Sequence, residues 1–501
     1  MGTGKFNEQS SIDYYKISKE IISYWNSNNI FEKSISSRSE DKIFPFYEGP
    51  PSANGMPGIH HVMARTIKDI FCRYKTLKGY RVYRKGGWDT HGLPVELQVE
   101  KNLGITKDDI GNKISVEKYN EECKVAVMQF KEAWEELTES IGYWLDIDDA
   151  YITFKNNYIE SIWWSLKELY KKGLLYKGYT IQPYSPAAGT GLSSHELNMP
   201  GAYKNIKDTS LTAQFKIQKN KKSQEIIGES DCYFLAWTTT PWTLPANNGL
   251  AVGEKIKYNL IETFNKYTES KINVIIAEKC IEKFFDSNNL KTSEELIFDK
   301  QNLPYKILKT FEGKDLIGFD YDQLLPYVKA EKPAFTVVSG DFVTTDEGTG
   351  IVHISLTFGS DDFYVSKKNN LPGIFVKNDK NEDVPIVDKS GKFVKEIIDF
   401  AGLQVKAFSD VEGLTTDEQI SIKLKKENKA FDVKKYEHSY PHCWRTDKPI
   451  LYYPLESWFI NSTKLKDDFI NKNKGINWQP ESTGTGRFGN WLENLVDWNL
   501  S

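Results

Sequence analysis

The length, composition and charge of the chain limit what it can be. Its 501 residues suffice for about three domains of ordinary size, and a net charge of −4 excludes a uniformly basic surface for nucleic acid. Five cysteines without a Cys-x-x-Cys pair exclude a disulfide framework, predict no zinc site and favour the reducing cytoplasm. No apolar run approaches the roughly 18 residues of a membrane span, so no membrane association is expected.

The amino-terminal part of the chain alternates between helical and strand patterns. Apolar residues over 14–25 recur at helical spacing and predict one amphipathic helix in an amino-terminal helical extension, residues 1–40. A short strand at 43–46, a Gly/Pro loop, a helix over 62–77 and a second strand at 80–83 follow. This order predicts a βαβ unit whose loops lie at the carboxyl ends of the strands, where ligands of open α/β sheets bind.

Two longer helical patterns complete this part. Apolar residues over 116–141 and 158–172 recur at helical spacing, and the patterns include Trp134, Trp163 and Trp164. Such faces normally pack against a sheet. We therefore expect these tryptophans to cover the sheet of the βαβ unit.

The sequence pattern changes from helical to β-rich after residue 197. Short β-rich segments are separated by charged turns, and the clearest of them are 232–240, 272–277, 335–338 and 350–354. Near residue 437 the chain returns to the pattern of the first part, with aromatic residues in predicted helices and strands. The pattern predicts an inserted β-rich domain over 197–436.

Two loop segments of the first part carry residues suited to binding. Residues 48–61, Glu-Gly-Pro-Pro-Ser-Ala-Asn-Gly-Met-Pro-Gly-Ile-His-His, lie before a helix amino terminus, where backbone amides and the helix dipole favour phosphate. Segment 86–96 places Asp89 at a strand end, where a carboxylate can hold an ammonium group. Taken alone, either segment is more typical of an ordinary turn.

The β-rich part contains two further segments of this kind. Residues 236–248 include three consecutive threonines, whose hydroxyls can orient a hydrolytic water. Residues 348–362 include His353 and Asp362, an imidazole that can shape a side-chain pocket and a carboxylate that suits an ammonium. By themselves the threonines are ordinary strand residues and the histidine an ordinary core residue.

Together these four segments resemble the class I aminoacyl-tRNA synthetases, and specifically the isoleucyl-tRNA synthetases. The resemblance implies an α/β fold in which a Rossmann-like (class I synthetase, HUP-type) catalytic domain is interrupted by a β-rich editing domain. It assigns residues 41–196 to the first part of the catalytic domain and residues 197–436 to the editing (connective peptide) domain. Residues 437–501 then return to the catalytic domain, which is incomplete. The chain stops before the family's Lys-Met-Ser-Lys-Ser signature, so a fragment deficient in activation is expected.

The resemblance also implies roles for individual residues. The implied ATP-binding residues are Gly49, Asn54, Gly55, His60 and His61. The implied substrate-binding residues are Pro50, Asp89, Thr240 and Asn247, and the implied catalytic residues are His61, Thr238, Thr239, His353 and Asp362. The implied partners are ATP with Mg²⁺, L-isoleucine and tRNA(Ile), with a monomer acting in the cytoplasm and no resident metal.

Two positions depart from the family pattern. The family's His-x-Gly-His falls on residues 58–61, so Gly58 replaces the first histidine, His60 replaces the glycine, and only His61 is retained. Weak ATP binding is therefore expected. In the editing segment, Ser355 and Leu356 stand where Ala-Pro is usual, a change that can move the strand exit toward Asp362.

The implied activity is that of an isoleucine-tRNA ligase with hydrolytic editing of Val-tRNA(Ile). One methylene is worth little in a binding pocket, so discrimination against valine needs a second, hydrolytic site. Two other functions remain open. A stand-alone editing hydrolase would lack ATP-pyrophosphate exchange, and a non-enzymatic tRNA-binding module would lack hydrolysis as well.

Overall fold

The computed structural model describes residues 11–292, 295–406 and 413–500. The chain divides into two compact units, one up to Leu175 and one from Tyr176 onward. The domain boundaries expected after residues 40, 196 and 436 stay predictions. Within the described residues, no helix is long and apolar enough to cross a membrane.

The first unit contains a parallel sheet and several helices. Its helices are α1 (Tyr14–Ser27), α2 (Ile30–Ser36), α3 (Ile59–Leu77), α4 (Leu93–Leu103), α5 (Val116–Val127), α6 (Lys131–Ser140) and α7 (Asn156–Lys171). Its strands are β1 (Ile43–Tyr47), β2 (Arg81–Trp88) and β3 (Asp146–Ile152), paired in parallel in the order β1-β2-β3. The predicted βαβ unit is confirmed, and the segments that follow β1 and β2 leave from the same edge of the sheet.

The structure confirms one expectation about the helices and corrects two others. The amino-terminal helix expected over 14–25 is α1 (Tyr14–Ser27), and a second short helix, α2, follows Asn29, which adopts the left-handed conformation with φ of 52°. The single helix expected over 116–141 is also two, α5 and α6. Trp134 is buried, but Trp163 and Trp164 are 68% and 65% exposed, so the expectation that they are covered is wrong.

The second unit is dominated by strands. Its strands are β4 (Leu175–Ser185, which begins at the boundary), β5 (Thr190–Gly191), β6 (Tyr203–Lys216), β7 (Cys232–Thr238), β8 (Gly249–Val252), β9 (Lys257–Phe264), β10 (Lys271–Ala277), β11 (Lys306–Glu312), β12 (Thr336–Ser339), β13 (Ile351–Ile354), β14 (Phe375–Lys377), β15 (Asp383–Pro385), β16 (Ala430–Pro441), β17 (Leu451–Ile460) and β18 (Trp498–Asn499). Its helices are α8 (Ser194–Leu197), α9 (Lys221–Ile227), α10 (Gly313–Leu316), α11 (Ser360–Lys368), α12 (Thr416–Lys426), α13 (Lys466–Asn473) and α14 (Phe488–Glu493).

These strands form several sheets. The largest has the order β11-β9-β10-β7-β6-β16, and smaller sheets have the orders β12-β8-β13, β18-β17-β4-β5 and β14-β15. Large side chains such as Phe215, Phe234, Tyr258, Phe319 and Tyr321 are fully buried in its main core. The four β-rich segments expected from the sequence correspond to β7, β10, β12 and β13, each to within about two residues.

Short connections between these strands position the candidate site. Strand β7 ends at Thr238, and a 3₁₀ helix over Pro241–Ala246 leads from there into β8. Strand β13 pairs with β8 in antiparallel register, with His353 opposite Leu250. Five residues separate the end of β13 from the start of α11. The end of β7, strand β13 and the first turn of α11 therefore contribute to one small region.

Candidate active site

A cavity of about 410 Å³ lies at this junction in the second unit. The predicted residues Thr238, Thr239, Thr240, His353 and Asp362 all line it. Its other lining residues are Trp237, Thr243, Phe342, Thr344, Glu347, Gly348, Thr349, Gly350, Ile351, Val352, Ser355, Phe358 and Gly359. The fold therefore brings the two β-rich motifs together, although more than 100 residues separate them in the chain.

The threonines form a hydroxyl-lined turn at the end of β7. The Thr238 Oγ1 accepts a hydrogen bond of 3.0 Å from the backbone N–H of Thr240 and lies 3.2 Å from the Thr240 Oγ1. The Thr243 Oγ1 donates to the Thr240 carbonyl at 2.8 Å. Because Thr238 and Thr243 are engaged within the turn, the half-buried Thr239 is the threonine best placed to meet a ligand.

His353 is held from both sides of its ring. Its Nε2 lies 2.8 Å from the Thr243 Oγ1, and its Nδ1 lies 3.1 Å from the Nδ2 of Asn247. The side chain is only 8% exposed, and burial lowers the pKa of His353 to about 4. His353 is therefore a neutral imidazole at physiological pH.

Asp362 lies in the first turn of α11 and faces the cavity. Its Oδ2 accepts a hydrogen bond of 2.8 Å from the backbone N–H of Ser355, so the backbone at the exit of β13 is tied to the carboxylate. A Cβ on Gly359 would lie 2.5 Å from that Oδ2, so any other residue there would displace the carboxylate. Burial raises the pKa of Asp362 to about 7, and a bound cation would favour its ionised form.

A buried ionic cluster supports the threonine turn from behind. The Asp417 Oδ1 accepts from the backbone N–H of Trp242 at 2.9 Å. Lys406 lies 3.2 Å from the Oδ2 of Asp417 and 2.6 Å from the Oδ2 of Asp208, and the Lys406 and Asp417 side chains are each 6% exposed. Burial lowers the pKa of Lys406, but Asp417, Tyr440 and Asp208 together raise it above its usual range. Sequence reasoning missed these residues, because no local pattern marks them.

The Gly/Pro loop of the first unit is fixed mainly through its backbone. The Pro51 carbonyl accepts from the Asp89 N–H at 2.9 Å, and the Ala53 carbonyl accepts from the Phe130 N–H at 2.9 Å. The Trp134 Nε1 donates to the Gly55 carbonyl at 2.8 Å. These bonds bring the Asp89 segment next to the loop that carries Gly49, Pro50, Asn54 and Gly55. The structure therefore joins the two predicted motifs of this unit.

The side chains of this loop region are more open. Asp89 and His60 are exposed, whereas His61 is half-buried and packs edge-on against Trp134 with ring centroids 4.6 Å apart. The Nδ1 of His61 accepts from the Gly58 N–H at 2.9 Å and caps α3. Burial, with His60 and Arg65 nearby, lowers the pKa of His61.

Glu48 was not singled out from the sequence, although it directly precedes the Gly-Pro-Pro run. It is only 2% exposed, and its carboxylate accepts hydrogen bonds from Lys68 and Tyr143. Its backbone carbonyl accepts from the Tyr151 hydroxyl at 2.6 Å. Glu48 therefore anchors the start of the loop. The sequence feature that could have identified Glu48 is a carboxylate between a strand and a Gly/Pro loop.

The described residues contain no group of three or more His, Cys, Asp or Glu side chains that could hold a metal ion. The expectation that the chain holds no zinc stays a prediction.

Comparison with known families identifies the chain. The family described as tRNA synthetases class I (I, L, M and V) matches residues 20–501. The chain belongs to this family. The expected fold class is thereby confirmed as the mixed α/β fold of a class I synthetase, with several sheets.

Relatives in this synthetase family cover nearly all of the chain. It is 59% identical over 512 residues to the isoleucine–tRNA ligase of Cytophaga hutchinsonii, covering 99% of the chain and 46% of that protein. It is 53% identical to the isoleucine–tRNA ligase of Bacteroides fragilis, covering 99% of the chain and 45% of that protein. The chain thus spans about half the length of the curated relatives it matches.

Solved structures of leucyl-tRNA synthetase parts are also similar. The crystal structure titled GlLeuRS-CP1 matches with a TM-score of 0.31 and 13% identity, covering 46% of the chain and 100% of that structure. The crystal structure of the P.knowlesi cytosolic leucyl-tRNA synthetase editing domain matches with a TM-score of 0.26 and 16% identity, covering 33% of the chain and 66% of that structure.

Proposed function

We propose that the chain is part of an isoleucine-tRNA ligase and that the cavity of its second unit hydrolyses Val-tRNA(Ile). The observation that carries this proposal is the meeting of the threonine turn, His353 and Asp362 around one cavity. The identity of 59% with an isoleucine–tRNA ligase over 99% of the chain supports the choice of amino acid and tRNA.

Each wall of the cavity offers a different contact to an aminoacylated terminus. The Asp362 carboxylate would hold the α-ammonium, since an opposite charge favours its ionised form. The neutral His353 ring would meet the amino-acid side chain, and the Thr239 hydroxyl would orient the attacking water. In this reaction the water oxygen attacks the ester carbonyl carbon and the bond to the ribose oxygen breaks. One water proton ends on that oxygen, which releases valine and free tRNA.

The same proposal assigns the loop of the first unit to isoleucine activation. Asp89 would hold the ammonium of isoleucine, and Gly49, Asn54, Gly55, His60 and His61 would surround ATP at the start of α3. Pro50 would line the amino-acid side of this loop. Mg²⁺ would bind together with ATP, on its phosphates, and would neutralise part of their charge. Alignment of the isoleucine carboxylate with the α-phosphate would then supply most of the barrier reduction.

The decisive experiment is deacylation of Val-tRNA(Ile) by the 501-residue chain. We expect valine release well above the uncatalysed rate and much slower release from Ile-tRNA(Ile). Thr239→Ala should slow the release while sparing the affinity for a valyl-adenosine analogue, because a positioned hydroxyl acts mainly on the water. A chain that binds tRNA without releasing valine would favour the non-enzymatic binding module instead.

Isoleucine and ATP binding test the other half of the proposal. We expect calorimetry to detect binding of both ligands. We expect Asp89→Asn to weaken the binding of isoleucine by about 1.5–3 kcal/mol, the range for a hydrogen bond to a charged group. Deacylation without either ligand bound would favour a stand-alone editing hydrolase. A monomer by sedimentation and a cytoplasmic location, where tRNA is aminoacylated, complete the proposal.

A further inference from the structure

The hydroxyl of Tyr321 is buried behind the cavity, outside every motif recognised in the sequence. Tyr321 is fully buried, and its ring packs against Phe215 and Phe335 with centroids 5.4 and 6.1 Å away. Its hydroxyl donates to the Asn247 Oδ1 at 2.7 Å. Burial raises the pKa of Tyr321 well above its usual value, so this hydroxyl keeps its proton.

The bond from Tyr321 belongs to a set that leaves Asn247 one orientation. The Asn247 Nδ2 faces the carbonyl oxygens of Gly249 at 2.9 Å and Ile354 at 3.3 Å, and the Nδ1 of His353 at 3.1 Å. Carbonyl oxygens only accept hydrogen bonds. A flipped amide would place its own oxygen against two carbonyl oxygens, so the nitrogen must face them and the oxygen must face Tyr321.

This orientation determines where His353 carries its proton. The two N–H groups of Asn247 face three acceptors, and the amide nitrogen cannot itself accept a hydrogen bond. A proton on the facing Nδ1 of His353 would meet only donors, so the single proton of the neutral ring sits on Nε2. That N–H points at the Thr243 Oγ1, 2.8 Å away. Thr243 can accept it, because its own hydroxyl proton is committed to the Thr240 carbonyl.

We propose that Tyr321 is a positioning residue that, through Asn247, fixes His353 as an Nε2-protonated ring serving as a rigid wall of the cavity. Hydrogen bonds then run in one direction, from Tyr321 through Asn247, His353 and Thr243 to Thr240. Both ring nitrogens are engaged inside the protein, so His353 selects the amino-acid side chain by shape and exchanges no proton with the substrate or with water. The part of this inference that concerns selectivity rests on the proposed function, whereas the protonation of the ring does not.

The first experiment reads the ring directly. Long-range ¹H–¹⁵N correlation spectra of the ¹⁵N-histidine-labelled chain distinguish protonated from unprotonated ring nitrogens, and His353→Gln identifies the signals among the seven histidines. We expect a protonated Nε2, an unprotonated Nδ1 and no titration of His353 between about pH 5 and pH 8. A proton on Nδ1, or titration in that range, would overturn the proposal whether or not the chain hydrolyses any tRNA.

The second experiment removes the Tyr321 hydroxyl alone. Tyr321→Phe keeps the buried ring, and we expect the His353 signals to become an average of both tautomers. The rate ratio of Val-tRNA(Ile) to Ile-tRNA(Ile) deacylation should fall by about two- to tenfold, the factor for one hydrogen bond. Tyr440→Phe is the matched control, because Tyr440 is also buried and its hydroxyl donates to the Ile450 carbonyl at 2.9 Å, outside the cavity.

Asn247→Asp provides an independent test with nearly the same shape. The oxygen that replaces Nδ2 faces the Gly249 and Ile354 carbonyl oxygens, so we expect this carboxyl to keep its proton for one of them and to have none to donate to the Nδ1 of His353. The ring then loses the donor that fixed its tautomer, and the spectra would show a proton on Nδ1 in part of the molecules. An unchanged His353 signal in both Tyr321→Phe and Asn247→Asp would contradict the proposal even if deacylation changed.

Discussion

The two candidate sites of this chain are built in opposite ways. In the second unit, buried side chains bond to one another around the cavity, so that His353, Thr243 and Asn247 are already constrained. In the first unit, the loop after β1 is held through backbone carbonyls, while Asp89 and His60 remain exposed. A site of the first kind has its shape before a ligand binds, whereas a site of the second kind has a set backbone and side chains free to move.

The largest expected effect is the loss of stability when Asp417, which supports the threonine turn, is removed. Asp417→Ala would leave Lys406 paired only with Asp208 and would leave the Trp242 N–H without its acceptor. Removing one partner of a buried ion pair costs about 3–5 kcal/mol, so we expect the free energy of unfolding to fall by that amount in urea titrations.

Asp432→Ala serves as the control for this prediction. Asp432 is also buried and pairs with Lys266 and Lys434, away from the turn. We expect it to lower stability but to leave valyl-adenosine affinity unchanged, whereas Asp417→Ala should lower both. Equal affinities in the two variants would show that the cavity does not depend on its buried support.

The next effect concerns the charge in the cavity. Asp362→Ala should weaken the binding of a valyl-adenosine analogue by about 2–5 kcal/mol, because the α-ammonium of the analogue would lose a partly buried partner. Calorimetry measures the change. Asp361→Ala, on the exposed neighbour in the same helical turn, should change affinity little, and equal losses would assign the effect to the helix rather than to the carboxylate.

A smaller effect follows from the protonation of Asp362. Its folded pKa of about 7 exceeds the unfolded value of about 3.9, so the folded state binds the proton more tightly. The contribution of Asp362 to the free energy of unfolding is therefore fully present below about pH 4 and is lost as the pH rises through 7. Because the carboxyl is half-buried, we expect Asp362→Asn to be more stable than the unsubstituted chain by about 1–2 kcal/mol at pH 8. Thermal unfolding should show this difference disappear near pH 4.

The smallest effect distinguishes the two histidines of the open site. His61→Ala removes a helix cap and a contact with Trp134, and we expect about 1 kcal/mol of lost stability together with weaker ATP binding. His60→Ala should lose less than half as much, because His60 is exposed. Equal losses of ATP affinity in the two variants would mean that His60 takes the position expected of His61.

Much of this organisation could be read from local patterns. Short-range periodicity located the βαβ unit and the strands that frame the cavity, because each depends on neighbours within a few residues. The motifs around Thr238 and Asp362 carried the family resemblance. Patterns failed where a helix is interrupted, as between Val127 and Lys131, where the helical pattern over 116–141 is divided into α5 and α6.

The sequence by itself therefore determined the family, the order of the elements and the residues around the cavity. Only the tertiary structure decided which side chains hold those residues in place. Asp417 lies 175 positions from the Trp242 amide it accepts from, and Tyr321 lies 74 positions from Asn247. Such partners leave no periodic trace, because a hydrogen bond between distant segments depends on how strands and helices pack and not on the residues beside each group.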